Sequence, residues 1–334
     1  MTLSSTQLRK PVYWWVIGYA ALWILVSYLF DPTVPYDAVE AVNWGTNGGW
    51  GSPKNPWFVG FIMTPAIYGG IDFSFYWYFI HFIVIAVGLL GVWNLAYKLT
   101  QNTNLAWFAM LALNLSGVIN FDIIPYNDNY ILVGCWAWAF YFFLCAINDN
   151  QKYWIGFAIT MGIATMGKYS SLAFIGSVFL SSLFVPKVRA SYCSPYFYLA
   201  LAIWFAFVIP NFIWLWQTDF AAFKWVDSQI ENRFNLRTTR AALTVFYPVI
   251  LMWGILRFYG GRVSWSASKD SQLLNFIFLF PLTIIFIWFS FHEGGRISEW
   301  LQPFMSIATA LFVGSISVMP KRSLRGALYG LGVF

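Results

Sequence analysis

Charged residues are scarce in this sequence. Of its 334 residues, 10% are charged, 60% are apolar and 22% are aromatic. Soluble domains usually carry about 25% charged residues. A soluble protein of this length also leaves too much surface in water to hide so many apolar side chains. The composition therefore excludes an ordinary soluble protein and indicates a protein embedded in lipid.

Cysteine is scarce as well, with three in the chain. Cys135 and Cys145 lie in one apolar run, ten residues apart, which is ~15 Å along a helix. That separation is too long for a disulfide, and Cys193 falls in a predicted inside loop. The sequence thus predicts no disulfide framework, and it contains no CxxC motif or thiolate cluster for a metal.

Long apolar runs are what the sequence has instead, and they predict about ten membrane spans. Only helices satisfy their backbone polar groups within a single segment in lipid, so the predicted fold is all-α and polytopic. Gly167-Lys168 interrupts the run 153–185, which predicts two short helices there. The other runs are 11–30, 76–97, 105–121, 130–147, 195–216, 241–256, 273–291 and 301–319.

One transmembrane domain is predicted over residues 1–320, with interfacial helices in an outside loop at 31–75. The first apolar run has no small-residue cleavage site, so we interpret it as a membrane helix and not as a cleaved signal. Residues 321–334 read as a basic inside loop with an incomplete apolar stub. That stub either rests at the interface or begins a further span.

Charge asymmetry predicts the orientation. With the N-terminus inside, Asp149 and Asp270 are the two acids in inside loops, and the other acids fall outside. This is the positive-inside pattern, so the net charge of +6 indicates orientation and not nucleic acid binding. The basic residues placed inside are Arg9, Lys10, Lys98, Lys152, Lys187, Arg189, Arg257, Arg262, Lys269, Lys321, Arg322 and Arg325.

The first outside loop combines acidic and basic residues at the membrane surface. A short helix after Pro35 places Asp37, Glu40 and Trp44 on one face by i, i+3 and i+4 spacing. Lys54 follows after a Gly- and Pro-containing break. Such a loop suits chemistry on a lipid head group, whereas the alternative interpretation is helix capping and interfacial anchoring.

Two further features lie in or next to predicted outside segments. The segment PYNDN holds Asp128 in the second outside loop, where the Asn-Asp-Asn run could instead cap the next span. Lys168 interrupts an apolar run, which is costly in lipid. An ammonium there suits a lipid phosphate, although snorkelling without function is the alternative.

The segment FHEGGRISEW brings four ionisable residues into one outside loop. His292, Glu293, Arg296 and Glu299 could form a metal site, an acid/base pair or a phosphate clamp. The absence of an HExxH motif argues against a zinc protease, and Arg favours bidentate phosphate binding. A divalent metal requirement is left open.

The order of these motifs resembles the GT-C superfamily of membrane glycosyltransferases. It is most similar to the family-39 branch, which includes protein O-mannosyltransferases and bacterial transferases of aminoarabinose or galacturonic acid to lipid A or its core. The resemblance spans residues 10–320. The motifs that carry it are Tyr36, Asp37 and Glu40; Lys54, Asn55 and Pro56; Asp128; Gly167, Lys168 and Tyr169; and Arg296, Trp300 and Pro303.

The resemblance implies a polyprenyl-phosphate sugar donor and a lipid or protein acceptor on the non-cytoplasmic face, typically of a bacterial inner membrane. By this resemblance and the chemistry of the residues, Asp37, Glu40 and Asp128 are the predicted catalytic carboxylates. Lys54, Lys168 and Arg296 are predicted to bind the donor phosphate, and Tyr36, His292, Glu293 and Glu299 the acceptor or sugar. Asn55-Pro56 stands where the family often has two prolines. Many family members also carry a soluble C-terminal domain, which residues 321–334 do not supply.

A transporter or flippase of lipid-linked sugars is the alternative from another class. Transporters keep polar residues near the bilayer midplane and often contain internal repeats. Here the charges collect in outside loops and no repeat is visible. The sequence therefore favours the enzyme, but it does not specify the sugar or the acceptor.

Overall fold

The computed structural model describes residues 5–31, 33, 35–117, 119–120, 127–231, 234, 243–259, 262–294, 300–319 and 325–333. These residues are predominantly helical, with two short antiparallel strand pairs. This architecture confirms the prediction of an all-α polytopic membrane protein.

Most of the described helices are apolar. In chain order they are α1 (Ser5–Phe30), α2 (Tyr36–Asn47), α3 (Phe58–Phe61), α4 (Thr64–Gly69), α5 (Phe73–Thr100), α6 (Thr103–Leu111), α7 (Tyr130–Asn148), α8 (Tyr153–Gly167), α9 (Leu172–Ser181), α10 (Pro186–Ser191), α11 (Pro195–Gln217), α12 (Ala221–Ser228), α13 (Tyr247–Phe258), α14 (Lys269–Phe291), α15 (Met305–Gly314) and α16 (Arg325–Val333). Short 3₁₀ turns cover Ala112–Ser116, Tyr169–Ser171 and Gln302–Phe304. The strands are β1 (Ile230–Glu231), β2 (Arg262–Trp265), β3 (Glu293–Gly294) and β4 (Ile316–Met319).

Five of the described helices are long and apolar enough to cross a membrane: α1, α5, α7, α11 and α14. Shorter apolar helices lie at 153–167 and 169–181 in the predicted run 153–185, at 247–258 in the run 241–256, and at 302–314 in the run 301–319. The prediction of two short helices in 153–185 is confirmed, because the chain breaks at Lys168 between α8 and the following turn.

Two predicted spans differ from the structure in their second halves. The run 105–121 is helical only through Leu111 and then tightens into a 3₁₀ turn. In the run 301–319, α15 ends at Gly314 and the chain continues as β4, which pairs with β2. This pairing joins segments more than 50 residues apart, and the apolar pattern of one run cannot reveal such a distant partner.

Helices α5 and α7 form the centre of the fold. Their most apolar windows are 67% and 78% buried, against 22% for α1 and 17% for α11. Small residues permit this close contact, since a Cβ on Gly88 would lie 2.3 Å from the Val133 carbonyl oxygen. Such small-residue contacts are typical of helix pairs in membranes.

The polar contacts separate toward two ends of the bundle. At one end, Lys98 binds Asp149 at 2.6 Å and Asn148 donates to Asp270 at 2.8 Å. These residues are ones that the charge pattern places inside or next to an inside loop. The opposite end of the bundle contains the first turn of α7, which follows Asp128 and Asn129. The residues predicted to lie outside converge there.

The loop predicted at 31–75 contains three short helices, α2, α3 and α4. Helices α2 and α3 touch through glycine, because a Cβ on Gly45 would come within 2.5 Å of the Gly60 carbonyl oxygen. The segment between them therefore folds back over α2. At the other end of the chain, α16 packs beside α6, and Asn114 donates to the Leu331 carbonyl at 3.0 Å.

Candidate active site

Helix α2 supplies two carboxylates from one face. Asp37 and Glu40 are three residues apart, so both side chains point the same way. Each accepts a hydrogen bond from the Lys54 ammonium at 2.7 Å. Asp37 is 7% exposed, whereas Val39 on another face is exposed. The predicted amphipathic arrangement of this short helix thus directs its acids toward the protein.

A tight loop presents Lys54 to these acids. Helix α2 ends at Asn47, and Gly48 follows with a positive φ of 62°, a conformation that glycine adopts readily. Ser52 and Asn55 then close a small turn, in which the Ser52 amide donates to the Asn55 carbonyl at 2.8 Å. The backbone N–H of Asn55 donates to the Ser52 hydroxyl at 2.9 Å. Lys54 lies within this turn, and so its position depends on the turn's geometry.

Asp128 is the centre of the next set of contacts. It is 2% exposed, and its carboxylate accepts from Lys168 Nζ at 2.6 Å and also from the Asn55 side chain. Its backbone amide donates to the second oxygen of Asp37 at 3.3 Å. Asn129 binds the same ammonium through its Oδ1 at 2.6 Å. The two acid–lysine groups therefore form one continuous cluster.

Lys168 reaches the cluster because α8 ends close to α7. The backbone of Lys168 is extended, with φ −156° and ψ 134°, which terminates α8. A Cβ on the preceding Gly167 would lie 2.7 Å from Ile131 Cγ2. Glycine at 167 is thus required for the contact with the first turn of α7, which explains the pairing of glycine and lysine in this motif.

The environment shifts the pKa values of Asp37 and Lys54. Burial raises the pKa of Asp37 and the Asp128 carboxylate raises it further, while Lys54 and Lys168 oppose the shift. Burial acts to lower the pKa of Lys54, but the Asp37 and Asp128 carboxylates raise it above its ordinary value. Lys54 therefore stays charged, and Asp37 is a more basic carboxylate than one in water.

The structure brings together five of the predicted site residues, and a sixth lies beside them. The Tyr36 ring is 70% exposed, and its centroid is 5.9 Å from Lys54 Nζ. The five residues in the cluster are Asp37, Glu40, Lys54, Asp128 and Lys168. They come from α2, the loop after it, the start of α7 and the end of α8.

The predicted residues of the late outside loop are described only in part. His292 stacks on Trp288 at 4.3 Å, and its Nδ1 lies 2.7 Å from the Trp288 carbonyl oxygen. Glu293 belongs to β3, where it pairs with Glu231 in β1. Arg296 and Glu299 lie outside the described residues. Their predicted roles therefore stay predictions.

Two asparagines of the cluster were not predicted as site residues. Asn129 is the residue before α7, but its side chain makes no capping hydrogen bond and binds Lys168 instead. Asn55 entered the prediction only as part of a motif, yet it is fully buried and binds Asp128. A signal was present in the sequence, since Asn flanks Asp or Lys in both segments.

The described residues contain no group of three or more His, Cys, Asp or Glu side chains arranged to hold a metal ion. The cluster instead alternates carboxylates with ammonium groups. Each lysine uses two of its three N–H bonds on partners within the described structure. Among the described residues neither ammonium has a third hydrogen-bond partner, so one N–H of each could bind an additional anionic or polar ligand.

One family model matches a central part of the chain. The family model described as dolichyl-phosphate-mannose-protein mannosyltransferase matches residues 52–214. This range contains Lys54, Asp128 and Lys168, whereas Asp37 and Glu40 precede it. No curated protein and no solved structure matched the chain. The family match confirms that the chain resembles the GT-C superfamily of membrane glycosyltransferases.

Proposed function

We propose that this protein transfers a sugar from a polyprenyl-phosphate donor to a lipid or protein acceptor. The observation that carries the proposal is the continuous cluster of Asp37, Glu40, Lys54, Asp128 and Lys168. It lies at one end of the bundle, where a lipid head group could reach it. The positive-inside pattern supports placing that end on the non-cytoplasmic face, which would be the periplasmic side in a bacterial inner membrane.

The lysines are the proposed ligands of the donor phosphate. When the sugar leaves, the bond between its anomeric carbon and a phosphate oxygen breaks, and the electron pair stays on that oxygen. Lys168 and Lys54 each keep one N–H for this developing charge, which fixed cations stabilise without reorganisation. Arg296 is proposed as a further phosphate ligand from the motif resemblance alone.

Asp37 is the proposed general base for a hydroxyl acceptor. Its raised pKa makes it a better proton acceptor than an ordinary carboxylate, and its hydrogen bonds fix its orientation. The acceptor oxygen bonds to the anomeric carbon as its proton passes to Asp37. A single displacement of this kind inverts the configuration at that carbon. A phosphate acceptor is already ionised and needs the base less.

Asp128 and Glu40 have supporting places in this scheme. The Asp128 carboxylate accepts a hydrogen bond from Lys168, and its backbone amide donates one to Asp37. Asp128 is therefore the next candidate for the general base. Glu40 shares Lys54 with Asp37 and is more exposed. Tyr36, next to Lys54 on the exposed side, is the proposed contact for the sugar or acceptor, and His292, Glu293 and Glu299 are assigned to the acceptor from the motif pattern.

The direct test is transfer by the purified protein in detergent. The donors would be polyprenyl-phosphate sugars, the acceptors lipid A or a Ser/Thr peptide, and each reaction would run with and without a chelator. We expect a product of inverted anomeric configuration, read by NMR. Movement of lipid-linked sugar across vesicles without any transfer would support the transporter and contradict the enzyme.

A further inference from the structure

One face of α11 holds the loop that carries Lys54. Phe207, Asn211 and Trp214 are spaced i, i+4 and i+7, which places them on a single helix face. The Trp57 indole N–H donates to the Phe207 carbonyl at 3.1 Å. The Trp214 ring occupies the space beside Gly51, where a Cβ would lie 2.4 Å from the ring. The loop is therefore held near both of its ends.

Asn211 is the polar member of this face. Only 1% of the residue is exposed, although α11 as a whole is little buried. Its Nδ2 donates to the Trp50 carbonyl at 2.7 Å, and its Oδ1 accepts from the Tyr169 hydroxyl at 2.9 Å. A polar side chain in a membrane helix needs such partners, because lipid supplies none.

The two partners of Asn211 belong to the two segments that carry lysine. Trp50 begins the loop that presents Lys54, and Tyr169 directly follows Lys168 in the chain. These segments are more than 100 residues apart in sequence. Asn211 thus connects them through one amide group, although it is not itself a member of the ion cluster.

A buried asparagine in a membrane helix can satisfy its amide within its own helix. Asn94, 8% exposed in α5, donates to the Leu90 carbonyl of its own helix at 2.7 Å. In Asn211 the corresponding carbonyl is that of Phe207, which already accepts from the Trp57 indole N–H. The Asn211 side chain instead leaves α11 and binds two other segments, which indicates a role in their relative placement.

We propose that Asn211 is a positioning residue that sets the separation of the two ammonium groups, Lys54 and Lys168. The proposal rests on the proposed function, because that separation would define the site for the donor phosphate. A misplacement of about 1 Å in such a site can cost ~10²-fold in rate.

The test compares graded variants with a matched control. Asn211→Leu removes both hydrogen bonds at similar volume, Asn211→Asp keeps an acceptor for Tyr169, and Tyr169→Phe removes only the hydroxyl. Asn94→Leu is the control, since it makes the same change in a buried membrane helix away from the loop. We expect single-turnover transfer to fall by ~10²-fold in Asn211→Leu, less in the milder variants, and to stay unchanged in Asn94→Leu.

The pH profile separates positioning from general weakening of the fold. Lys54 lowers the pKa of Asp37. If the Lys54 ammonium moves away from Asp37, this pKa rises, and the acid limb of the pH–rate profile moves to higher pH. We expect this movement in Asn211→Leu but not in Asn94→Leu. If Asn211→Leu does not fold, Tyr169→Phe and Asn211→Asp are compared with Asn94→Leu in the same way. Full activity in both variants, with the acid limb of the pH–rate profile at its wild-type pH, overturns the proposal.

A labelling experiment tests the placement without relying on transfer. The Lys54 side chain is 15% exposed in the cluster, so an impermeant amine-reactive ester should acylate it slowly. Acylation of Lys54, measured by peptide mass, should be several-fold faster in Asn211→Leu than in Asn94→Leu. Equal rates overturn the positioning role. Failure of the wild-type protein to transfer any sugar would contradict the proposed function while leaving this result interpretable.

Discussion

Lys54 donates to Asp37 at 2.7 Å, while the backbone amide of Asp128 reaches the other oxygen of the same carboxylate at 3.3 Å. Asp37 is therefore held from two sides by segments more than 70 residues apart. Burial and the neighbouring Asp128 carboxylate nevertheless raise its pKa, because they outweigh the opposing effect of the lysines. A fixed and unusually basic carboxylate is what a proton acceptor requires.

The first prediction concerns the pH dependence of transfer. A base works only when ionised, so the single-turnover rate should fall as pH drops through the pKa of Asp37. Because that pKa is raised, the fall should begin at a higher pH than for an ordinary carboxylate. Asp37→Asn should abolish this limb and lower the rate by ~10²–10⁴-fold. Lys54→Gln should move the limb further up, since Lys54 lowers the pKa of Asp37.

Near-normal turnover of Asp37→Asn with a hydroxyl acceptor would contradict the base assignment. Asp128→Asn would then be measured in the same assay. Loss of the acid limb in that variant alone would transfer the role of base to Asp128.

The second prediction concerns Gly167 and the approach of α8 to α7. Gly167→Ala places a Cβ 2.7 Å from Ile131 Cγ2, so the end of α8 must shift and carry Lys168 away from Asp128. Donor binding should weaken and the transfer rate should fall, by up to ~10²-fold, since the proposed phosphate ligand moves with the helix end. Gly176→Ala in α9 is the control, because its Cβ would meet nothing within 4 Å.

Donor binding would be measured with a fluorescent polyprenyl-phosphate sugar. Ile131→Ala combined with Gly167→Ala should restore part of the affinity by making room for the new Cβ. Equal binding by Gly167→Ala and wild type would show that this helix contact does not set the position of Lys168.

Much of the cluster was predictable because its residues are anomalies in their surroundings. Lys168 stands out in an apolar run, and Asp37 and Glu40 stand out by their spacing after Pro35. Such residues are costly in or near lipid unless they are paired. The sequence therefore predicts that these residues pair with one another. The spacing does not predict which acid pairs with which lysine.

The sequence did not reveal the residues that act over long distances. Asn211 is a single amide in an apolar helix, and the residues next to it in the sequence do not indicate that it binds Trp50 and Tyr169. The pairing of β2 with β4 was missed for the same reason, since an apolar strand cannot be distinguished from a helix by periodicity. Local patterns predict elements, whereas these contacts arise only when the elements pack.

The third prediction concerns sidedness. Cys193 is exposed in the loop after α10, which the charge pattern places inside. A membrane-impermeant thiol reagent should therefore leave the wild-type protein unlabelled in intact cells and label it after the cells are opened. Asn47→Cys, at the end of α2, should be labelled in intact cells because it lies on the helix that carries Asp37 and Glu40. Labelling of Cys193 alone in intact cells would invert the topology and move the cluster to the cytoplasmic face.

The last prediction concerns the pair of Asp128 and Lys168. The Asp128 side chain is 1% exposed and that of Lys168 is 21% exposed. Asp128→Asn leaves a largely buried ammonium without its carboxylate, which should lower the free energy of unfolding by about 3 kcal/mol. Removing both charges in Asp128→Asn/Lys168→Met should cost less than the sum of the single changes, since no unpaired charge remains.

The control for this cycle is the Lys98–Asp149 pair at the opposite end of the bundle. Asp149 is 43% exposed there, so the same cycle should yield a coupling of about 0–1 kcal/mol. Unfolding would be followed by tryptophan fluorescence in denaturant and mild detergent. Additive effects at Asp128 and Lys168 would mean that the pair does not stabilise the cluster. A strong coupling combined with lost donor binding in Lys168→Met would instead show that one ion pair both holds the site together and presents its phosphate ligand.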